Sequence, residues 1–384
     1  GEMSNSGKFR IEGGTKTVLS TSSINKSAGI VDIKDGVTMY NNGIFTVAGN
    51  IQGGNSLSTW VNNANSTLHV GGDVFAGNGR IIANAVGNIV DYNGESSQTV
   101  KLPDASGYYN LTISSNSASE LEGHTTVDGD LTIMDTAQLD VTTTNYALYI
   151  GGNWVNTSAH ANPFVEQNAT VRFNGSTTQT FSENETFAVF RINPGATVQA
   201  DSTDGILNVK RNLFFNGTFN SQDGTLNLNG TVNQDITGDA VYNNLTIANS
   251  SGADIVSGSH QVKGTVTMTA GTLTTNDTLR LISDANGTAN IAKIESGANI
   301  TGDVIVERYL ASATAGWRFL SSACAGQTIQ MWDDSLVTTG FTGSDHPAFG
   351  WVNLYSYDES VAGGVSNGYN AIANTTDAIN VGEG

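Results

Sequence analysis

Short stretches of alternating apolar and polar residues run through most of the chain. Examples are TLNLNG from Thr225, NLTIAN from Asn244, VTMTAG from Val266 and LTIMD from Leu131. Alternation with period two, rich in β-branched residues, is typical of half-buried strands. Nowhere do apolar residues recur at helical spacing over ten or more positions. The pattern therefore predicts an all-β fold.

A short motif of the form apolar-x-Gly-(Asn/Asp/Thr)-apolar joins these stretches. Its copies are VAGNI at Val47, VGGDV at Val70, VDGDL at Val127, IGGNW at Ile150, VKGTV at Val262 and ITGDV at Ile300, with a degenerate copy VKRNL at Val209 that has Arg211 in the glycine position. The interval from Val47 to Val70 equals that from Val127 to Ile150, and the other intervals are longer and unequal. These spacings indicate a unit of about 20 residues, with insertions.

We expect each motif to turn the chain at a corner, with its flanking hydrophobes pointing into a shared core. Gly, Asn and Asp at such junctions tolerate positive φ. The predicted turn glycines are Gly49, Gly71, Gly72, Gly129, Gly151, Gly152, Gly264 and Gly302.

The sequence also contains a longer repeat unit, which includes the short motif. Three segments share the pattern hydrophobe-Asn-Gly-x-x-x-Gln-x-hydrophobe, namely YNGESSQTV at Tyr92, FNGSTTQTF at Phe173 and LNGTVNQDI at Leu228. Each is followed by an aromatic-x-x-apolar-x-Ile segment, which is YYNLTI from Tyr108, FAVFRI from Phe187 and YNNLTI from Tyr242. Each of these is followed in turn by a copy of the short motif. Three sub-motifs repeated in one order indicate a repeat architecture.

Short strands, sharp corners and a unit of about 20 residues predict a parallel β-helix, or β-solenoid. Stacked coils would place each strand about 4.8 Å from its copy in the next coil and share one core. At about 22 residues per coil, the first 300 residues would make roughly 13 coils, on the order of 60 Å. The alternative is a string of antiparallel β-sandwiches, which the Asn-Gly pairs at Asn93, Asn174 and Asn229 would also suit.

The repeat pattern ends near Val304. Trp317, Trp332 and Trp351 lie in the remaining fifth of the chain, where the short unit is lost. We expect residues 1–303 to form the solenoid and residues 304–384 to form a small globular β domain, or a cap over the open end of the coils. There is no initiator Met and no signal peptide, and the ending AINVGEG completes no pattern. The sequence therefore reads as a piece of a longer polypeptide whose C-terminal domain is truncated.

Composition and charge favour an extracellular location. The chain of 384 residues has 13% charged residues, against about 25% in average soluble domains, and its net charge is -19. That charge argues against nucleic acid or an anionic membrane as partner. No apolar run approaches a membrane span, and Cys324 is the single cysteine, so an internal disulfide is excluded.

The segments VYNNLTI, GTVTMTAGTL and GDVIVERYL…GWRFLSS…GQTI resemble the repeat region of large secreted surface proteins of Bacteroidota. The resemblance covers most of Val90 to Trp332, and its best-marked part runs from Glu307 to Ser322. It implies export by the type IX secretion system, although the family's C-terminal sorting domain is not in the sequence. It also implies a stalk or adhesive role without catalytic residues. The same bacteria attach O-glycans at Asp-(Ser/Thr) triplets, which here point to Thr136, Ser202, Thr278 and Ser335, although such pairs also simply form turns.

The residues themselves suggest little chemistry. The five histidines, His69, His124, His160, His260 and His346, have no zinc-type spacing with Cys324. There is no nucleophile elbow and no phosphate-binding loop. Calcium is the ligand that corner oxygens would suit best, with weak candidates at Asp73, Asp128, Asp130 and Asp303. Backbone hydrogen bonding at turns also accounts for these four acids, and no cofactor is expected.

We therefore predict a non-catalytic extracellular structural or adhesive segment of a bacterial surface protein. Its partners would be glycans, other cell-surface molecules or copies of itself, with no nucleic acid and no membrane insertion. Two alternatives stay open: a self-assembling filament subunit, and a carbohydrate-active β-helix enzyme, which would need carboxylates converging from neighbouring coils.

Overall fold

The computed structural model describes residues 9–13, 16–18, 23–26, 29–104, 107–182, 184–201, 204–310, 316–333 and 335–381. Two compact units divide the chain between Tyr309 and Leu310. The first unit is a parallel β-helix, and the winding makes about 13 turns. Every ladder between its described strands is parallel, so the sandwich alternative is wrong for this unit. The two antiparallel ladders both lie in the second unit.

Most coils place one strand on each of three faces, which we call the first, second and third faces in chain order. The first face consists of three sheets in succession, with strands β1 (Phe9–Ile11), β4 (Val31–Ile33), β7 (Ile51–Gly53), β12 (Gln98–Val100), β14 (Ala118–Leu121), β17 (Gln138–Asp140), β20 (Phe164–Val165), β23 (Thr186–Phe187), β26 (Ile206–Val209), β29 (Thr225–Leu228), β32 (Asn244–Ala248), the start of β35 (Thr265–Thr274), and β37 (Asn290–Ile291).

The second face has β2 (Lys16–Val18), β5 (Thr38–Asn41), β8 (Thr59–Asn62), β10 (Arg80–Ile82), β15 (Thr125–Val127), β18 (Leu148–Ile150), β21 (Thr170–Phe173), β24 (Val189–Ile192), β27 (Leu213–Phe215), β30 (Gln234–Gly238), β33 (Ala253–Ser257), the end of β35, and β38 (Ala298–Thr301). Single bridges through Tyr108 connect β10 to β15 across this face.

The third face is one sheet of 14 strands: β3 (Ser23–Lys26), β6 (Ile44–Val47), β9 (Thr67–Val70), β11 (Ile89–Tyr92), β13 (Asn110–Ile113), β16 (Leu131–Ile133), β19 (Trp154–Asn156), β22 (Thr178–Phe181), β25 (Thr197–Ala200), β28 (Thr218–Asn220), β31 (Ala240–Tyr242), β34 (His260–Val262), β36 (Leu279–Leu281) and β39 (Val304–Val306). Since β39 pairs with β36, the solenoid continues past the boundary that the sequence predicts at residue 303.

The hydrophobes that flank the corner motifs line the interior, as the sequence predicts. Val127 and Leu131 on the two sides of one corner are both fully buried. Between the faces, aromatic rings stack along the core, and Phe190 contacts the rings of Phe173 and Phe215 with centroids 5.7 and 6.1 Å away. Such contacts add about 0.5–1.5 kcal/mol each beyond the burial of apolar area, so the core is continuous from coil to coil.

The corner glycines are required for a reason that differs from the predicted one. Of the eight, only Gly302 has a positive φ, at 86°. At the other seven, an added Cβ would lie 2.0–2.7 Å from an oxygen of the preceding coil. At Gly151, for example, the Cβ would meet the carbonyl oxygen of Asp128 at 2.4 Å. Close stacking of successive corners, and not left-handed backbone, therefore excludes side chains there.

The same motifs occupy different corners, which explains their irregular spacing. The short motif turns from the third face to the first at Val47, Val70 and Val262, from the second to the third at Val127, Ile150 and Ile300, and from the first to the second at Val209. Tyr92, Phe173 and Leu228 of the longer unit lie on the third, second and first faces. Successive copies of the longer unit are thus offset by whole coils plus two strands, and the longer intervals between copies of the short motif reflect the same change of corner.

The second unit is small and irregular. It contains a short helix α1 (Ile329–Asp333), a 3₁₀ helix (Val365–Gly368), and two antiparallel ladders formed by β40 (Gln327–Thr328) with β43 (Ala378–Ile379) and by β41 (Tyr355–Tyr357) with β42 (Tyr369–Ala371). Many of its large apolar side chains are exposed, including Trp317 and Phe319 at 70% and 77%.

Candidate functional site

In each copy of the longer repeat unit, the glutamine side chain forms hydrogen bonds that link its own corner to a corner of the preceding coil. In all three copies, the buried side-chain oxygen accepts a hydrogen bond from the glycine N–H of its own Asn-Gly pair, at 2.6–3.1 Å. The side-chain nitrogen donates to two carbonyls of the short motif one coil earlier, at 2.5–2.9 Å. The glutamines are Gln98, Gln179 and Gln234, and the carbonyl pairs are those of Val70 and Gly72, Ile150 and Gly152, and Val209 and Arg211.

These hydrogen bonds connect the longer repeat unit to the short motif of the preceding coil. Only backbone carbonyls of the short motif are used, so Arg211 can replace glycine in the degenerate copy without loss of the bonds. A buried amide with all its bonds made stabilises the corner, whereas an unpaired one would cost about 1–3 kcal/mol.

The four calcium candidates lie at three corners of the solenoid, with Asp128 and Asp130 in one corner motif and Asp73 and Asp303 on other coils. Asp73 and Asp130 each accept a backbone N–H from the next coil, from Thr99 at 2.8 Å and from Asn153 at 2.7 Å. Asp303 donates its own N–H to Asp277 at 2.6 Å. Partial burial raises the pKa of Asp128, which disfavours the ionised form that a cation needs.

Within the described residues, no group of three or more His, Cys, Asp or Glu side chains could surround one metal ion. Asp73 and Asp130 therefore act as hydrogen-bond acceptors between coils, and the calcium prediction gains no ligand set from the described part of the fold.

The O-glycosylation candidates lie mainly in turns. Thr136 is exposed and donates to Asn116 at 3.0 Å, while the hydroxyl of Thr278 donates to the carbonyl of Thr275 at 3.0 Å. Ser335 is exposed in the second unit, and Ser202 lies outside the described residues. The hydroxyls of Thr136 and Ser335 are thus the accessible ones.

Residue types that serve in hydrolases meet on the third face without the geometry for catalysis. His69 contacts Asp91 through Nδ1 at 2.8 Å, and Ser114 donates its hydroxyl to the other oxygen of Asp91 at 2.6 Å. Because Ser114 bonds to the carboxylate and not to the imidazole, the three side chains do not form the arrangement in which an imidazole takes the hydroxyl proton.

The most unusual surface feature is a pair of arginines on the second face, which we call the arginine pair. Arg172 of β21 and Arg191 of β24 are register partners on successive coils. Both point outward, because their strand neighbours Val171, Phe173, Phe190 and Ile192 are buried. The row continues with Tyr149 on one side and Phe214 on the other.

Each guanidinium of the arginine pair stacks on the aromatic ring beyond it. Cζ of Arg172 lies 5.1 Å from the ring centroid of Tyr149, and Cζ of Arg191 lies 4.0 Å from that of Phe214. Burial lowers the pKa of Arg191, and the positive charge of Arg172 lowers it further. The Nε atoms of both arginines are buried without a hydrogen-bond partner.

The arginine pair has no acidic partner within the described part of the chain. Other basic side chains of the solenoid form ion pairs, such as Arg80 with Asp104, Lys101 with Glu122, and Arg280 with Glu307. The sequence has 35 Asp and Glu against 16 Lys and Arg. The arginine pair thus differs from these paired basic residues, in a chain that is acidic overall.

Sequence reasoning missed the arginine pair, although the repeat contains a signal for it. The position of Arg172 is Asp91 in the first copy and Asn227 in the third. The position of Arg191 is Thr112 and Thr246 in the same copies. These positions are register partners in all three copies, so the middle copy alone has arginine at both.

The second unit has an aromatic cavity of about 120 Å³. Trp317, Trp332, Tyr355 and Tyr369 line it, and the rings of Trp317 and Tyr355 lie edge to face with centroids 5.4 Å apart. Two of the three tryptophans that mark this region in the sequence thus contribute to one concave surface.

Comparison of the chain with protein-family models, with curated proteins and with solved structures finds no match. In the described ranges, no helix has the length and apolar character needed to cross a membrane.

Proposed function

We propose that this chain is a non-catalytic structural and adhesive segment, a stalk or surface fibre, of an extracellular bacterial protein. The observation that carries the proposal is the uninterrupted ladder of the third face, in which 14 strands from β3 to β39 pair in one order. Opening a coil in the middle would break ladders on three faces and expose the shared core. Such a stack resists local unfolding and proteolysis.

Features of the sequence support the location. The net charge of -19 keeps the chain soluble outside the cell, and the segment from Glu307 to Ser322 resembles secreted surface proteins of Bacteroidota. Export by the type IX system, O-glycosylation at Thr136 and contact with glycans are parts of this proposal. The alternatives are a filament subunit and a carbohydrate-active enzyme.

Antibody labelling of the bacterium that carries the gene tests the location. We expect intact cells to be labelled as strongly as permeabilised cells, and labelling to disappear from the surface when the secretion system is inactivated. Labelling that requires permeabilisation would contradict an extracellular role.

The purified chain tests the mode of action. We expect no release of reducing ends from a panel of polysaccharides, and constant light scattering over time. Turnover of any polysaccharide would favour the enzyme, and growth of scattering with fibres in electron micrographs would favour the filament.

A further inference from the structure

We infer that the arginine pair is a binding site for an acidic polysaccharide built from uronic acid units. The inference rests on the proposed extracellular location, because polymers of this class lie outside the cell. It names the ligand class and the residues for the adhesive part of that proposal.

Ring stacking leaves the terminal Nη groups of each guanidinium to bind an anion, whereas each Nε is buried. A guanidinium that stacks on an aromatic ring uses its flat face, so the N–H groups in its plane can still bind a carboxylate through two parallel bonds. Tyr149 and Phe214 hold Arg172 and Arg191 in this orientation. The N–H groups of both guanidinium groups are therefore preorganised, which reduces the entropy lost on binding.

Electrostatics favour an anion between or across the two side chains. The two arginines belong to adjacent strands of a parallel ladder, whose backbones are about 4.8 Å apart. Each guanidinium leans towards the ring at its own end of the row, and the two positive charges repel each other. No carboxylate of the described residues lies within ion-pair distance of either one. A bound carboxylate would relieve the repulsion and form charge-assisted hydrogen bonds.

The spacing of the site favours a uronic acid polymer over a denser polyanion. The two cations follow the solenoid axis from one coil to the next, and an aromatic residue ends the row on each side. An extended uronic acid chain has one carboxylate per unit, so separate units can meet the two separate guanidinium groups. Duplex DNA has one negative charge per about 1.7 Å, so most of its charges would face an acidic surface without a partner.

Binding of polygalacturonate to the purified full chain at about 0.15 M ionic strength tests the inference. We expect binding that falls about tenfold or more when the carboxylates are methyl-esterified, because charge-assisted hydrogen bonds are lost. Duplex DNA of equal length should bind much more weakly, because most of its charges would find no cation. No binding of polygalacturonate, or equal binding of its methyl ester or of DNA, would overturn the inference.

The repeat supplies a variant that should keep the fold. Arg172→Asn with Arg191→Thr installs the side chains that the third copy has at the same register positions, Asn227 and Thr246. We expect this variant to lose about tenfold or more in affinity for polygalacturonate.

A second double variant controls for charge alone. Lys263→Asn with Lys293→Thr removes two positive charges from exposed positions of the solenoid. It should bind polygalacturonate within about twofold of the wild type, because long-range charge effects are largely screened. Equal loss in both variants would show that only net charge matters and would overturn the site.

Two readouts separate failure of this inference from failure of the proposed function. Far-UV circular dichroism and the urea midpoint establish that the arginine variant is folded. If it does not fold, the methyl-ester comparison on the wild-type chain still decides. Surface labelling of cells does not depend on the arginine pair, so a negative binding result leaves the stalk proposal standing.

Discussion

Glu185 is a carboxyl group buried in the solenoid, and its replacement by glutamine should stabilise the protein at neutral pH. The residue lies just before β23 and is 3% exposed. Its Oε1 has no hydrogen-bond partner. Burial raises the pKa of Glu185 from the usual 4.5 to about 7, although the side chains of Asn156 and Trp154 act to lower it. The folded protein therefore favours the neutral acid.

The magnitude follows from the difference in pKa between the folded and unfolded states. Below pH 4.5 the acid is protonated in both states, so it costs nothing. As the pH rises from 4.5 to about 7, the unfolded chain loses its proton first, and the free energy of unfolding falls. Above pH 7 the cost reaches about 3 kcal/mol, since each unit of pKa corresponds to about 1.36 kcal/mol.

Urea unfolding of wild type and Glu185→Gln, followed by far-UV circular dichroism between pH 4.5 and 8, measures this cost. We expect equal free energies of unfolding near pH 4.5 and a variant more stable by about 3 kcal/mol at pH 8. The exposed Glu120→Gln is the matched control and should show no comparable trend. A difference that does not vary with pH, or a Glu185→Gln variant less stable than wild type at pH 8, would refute the reasoning.

Three further predictions concern the corners and the surface. Gln179→Ala removes a buried amide with three hydrogen bonds and should lower the free energy of unfolding by about 2–4 kcal/mol in urea, whereas Gln138→Ala, at an exposed amide, should change it by less than about 0.5 kcal/mol. Gly151→Ala places a Cβ 2.4 Å from a carbonyl oxygen and should cost about 2 kcal/mol, while Gly287→Ala, with open space around it, should be nearly neutral in the same assay. Intact-mass analysis of the chain from its native host should show a glycan that disappears in Thr136→Ala, and an unmodified wild-type mass would contradict this assignment.

The sequence predicts the core and the corners of the solenoid well because both depend on local patterns. Alternation with period two determines which side chains face inward, so the pattern alone assigns Val127 and Leu131 to the interior, where both are buried. A glycine in a recurrent junction indicates a corner. The reason for the glycine needs the neighbouring coil, since the Cβ at Gly151 would meet the carbonyl oxygen of Asp128, one coil earlier in the chain.

The surface site is harder to predict because its residues meet only through the stacking of coils. Arg172 and Arg191 lie on successive coils, and the length of a coil varies along the solenoid, so their register is not fixed by spacing alone. Glu185 likewise appears as an ordinary acidic residue near a corner. Its burial depends on Trp154 and other side chains contributed by separate coils.

The offset of the repeat copies by two strands has a consequence for how such a chain diversifies. Asp91 with Thr112, Arg172 with Arg191, and Asn227 with Thr246 hold equivalent places in three copies of one unit, yet they lie on the third, second and first faces. Duplication by a fractional turn aims the same ancestral positions in a new direction each time. One face of the solenoid can then acquire a new specificity while the other two faces keep theirs.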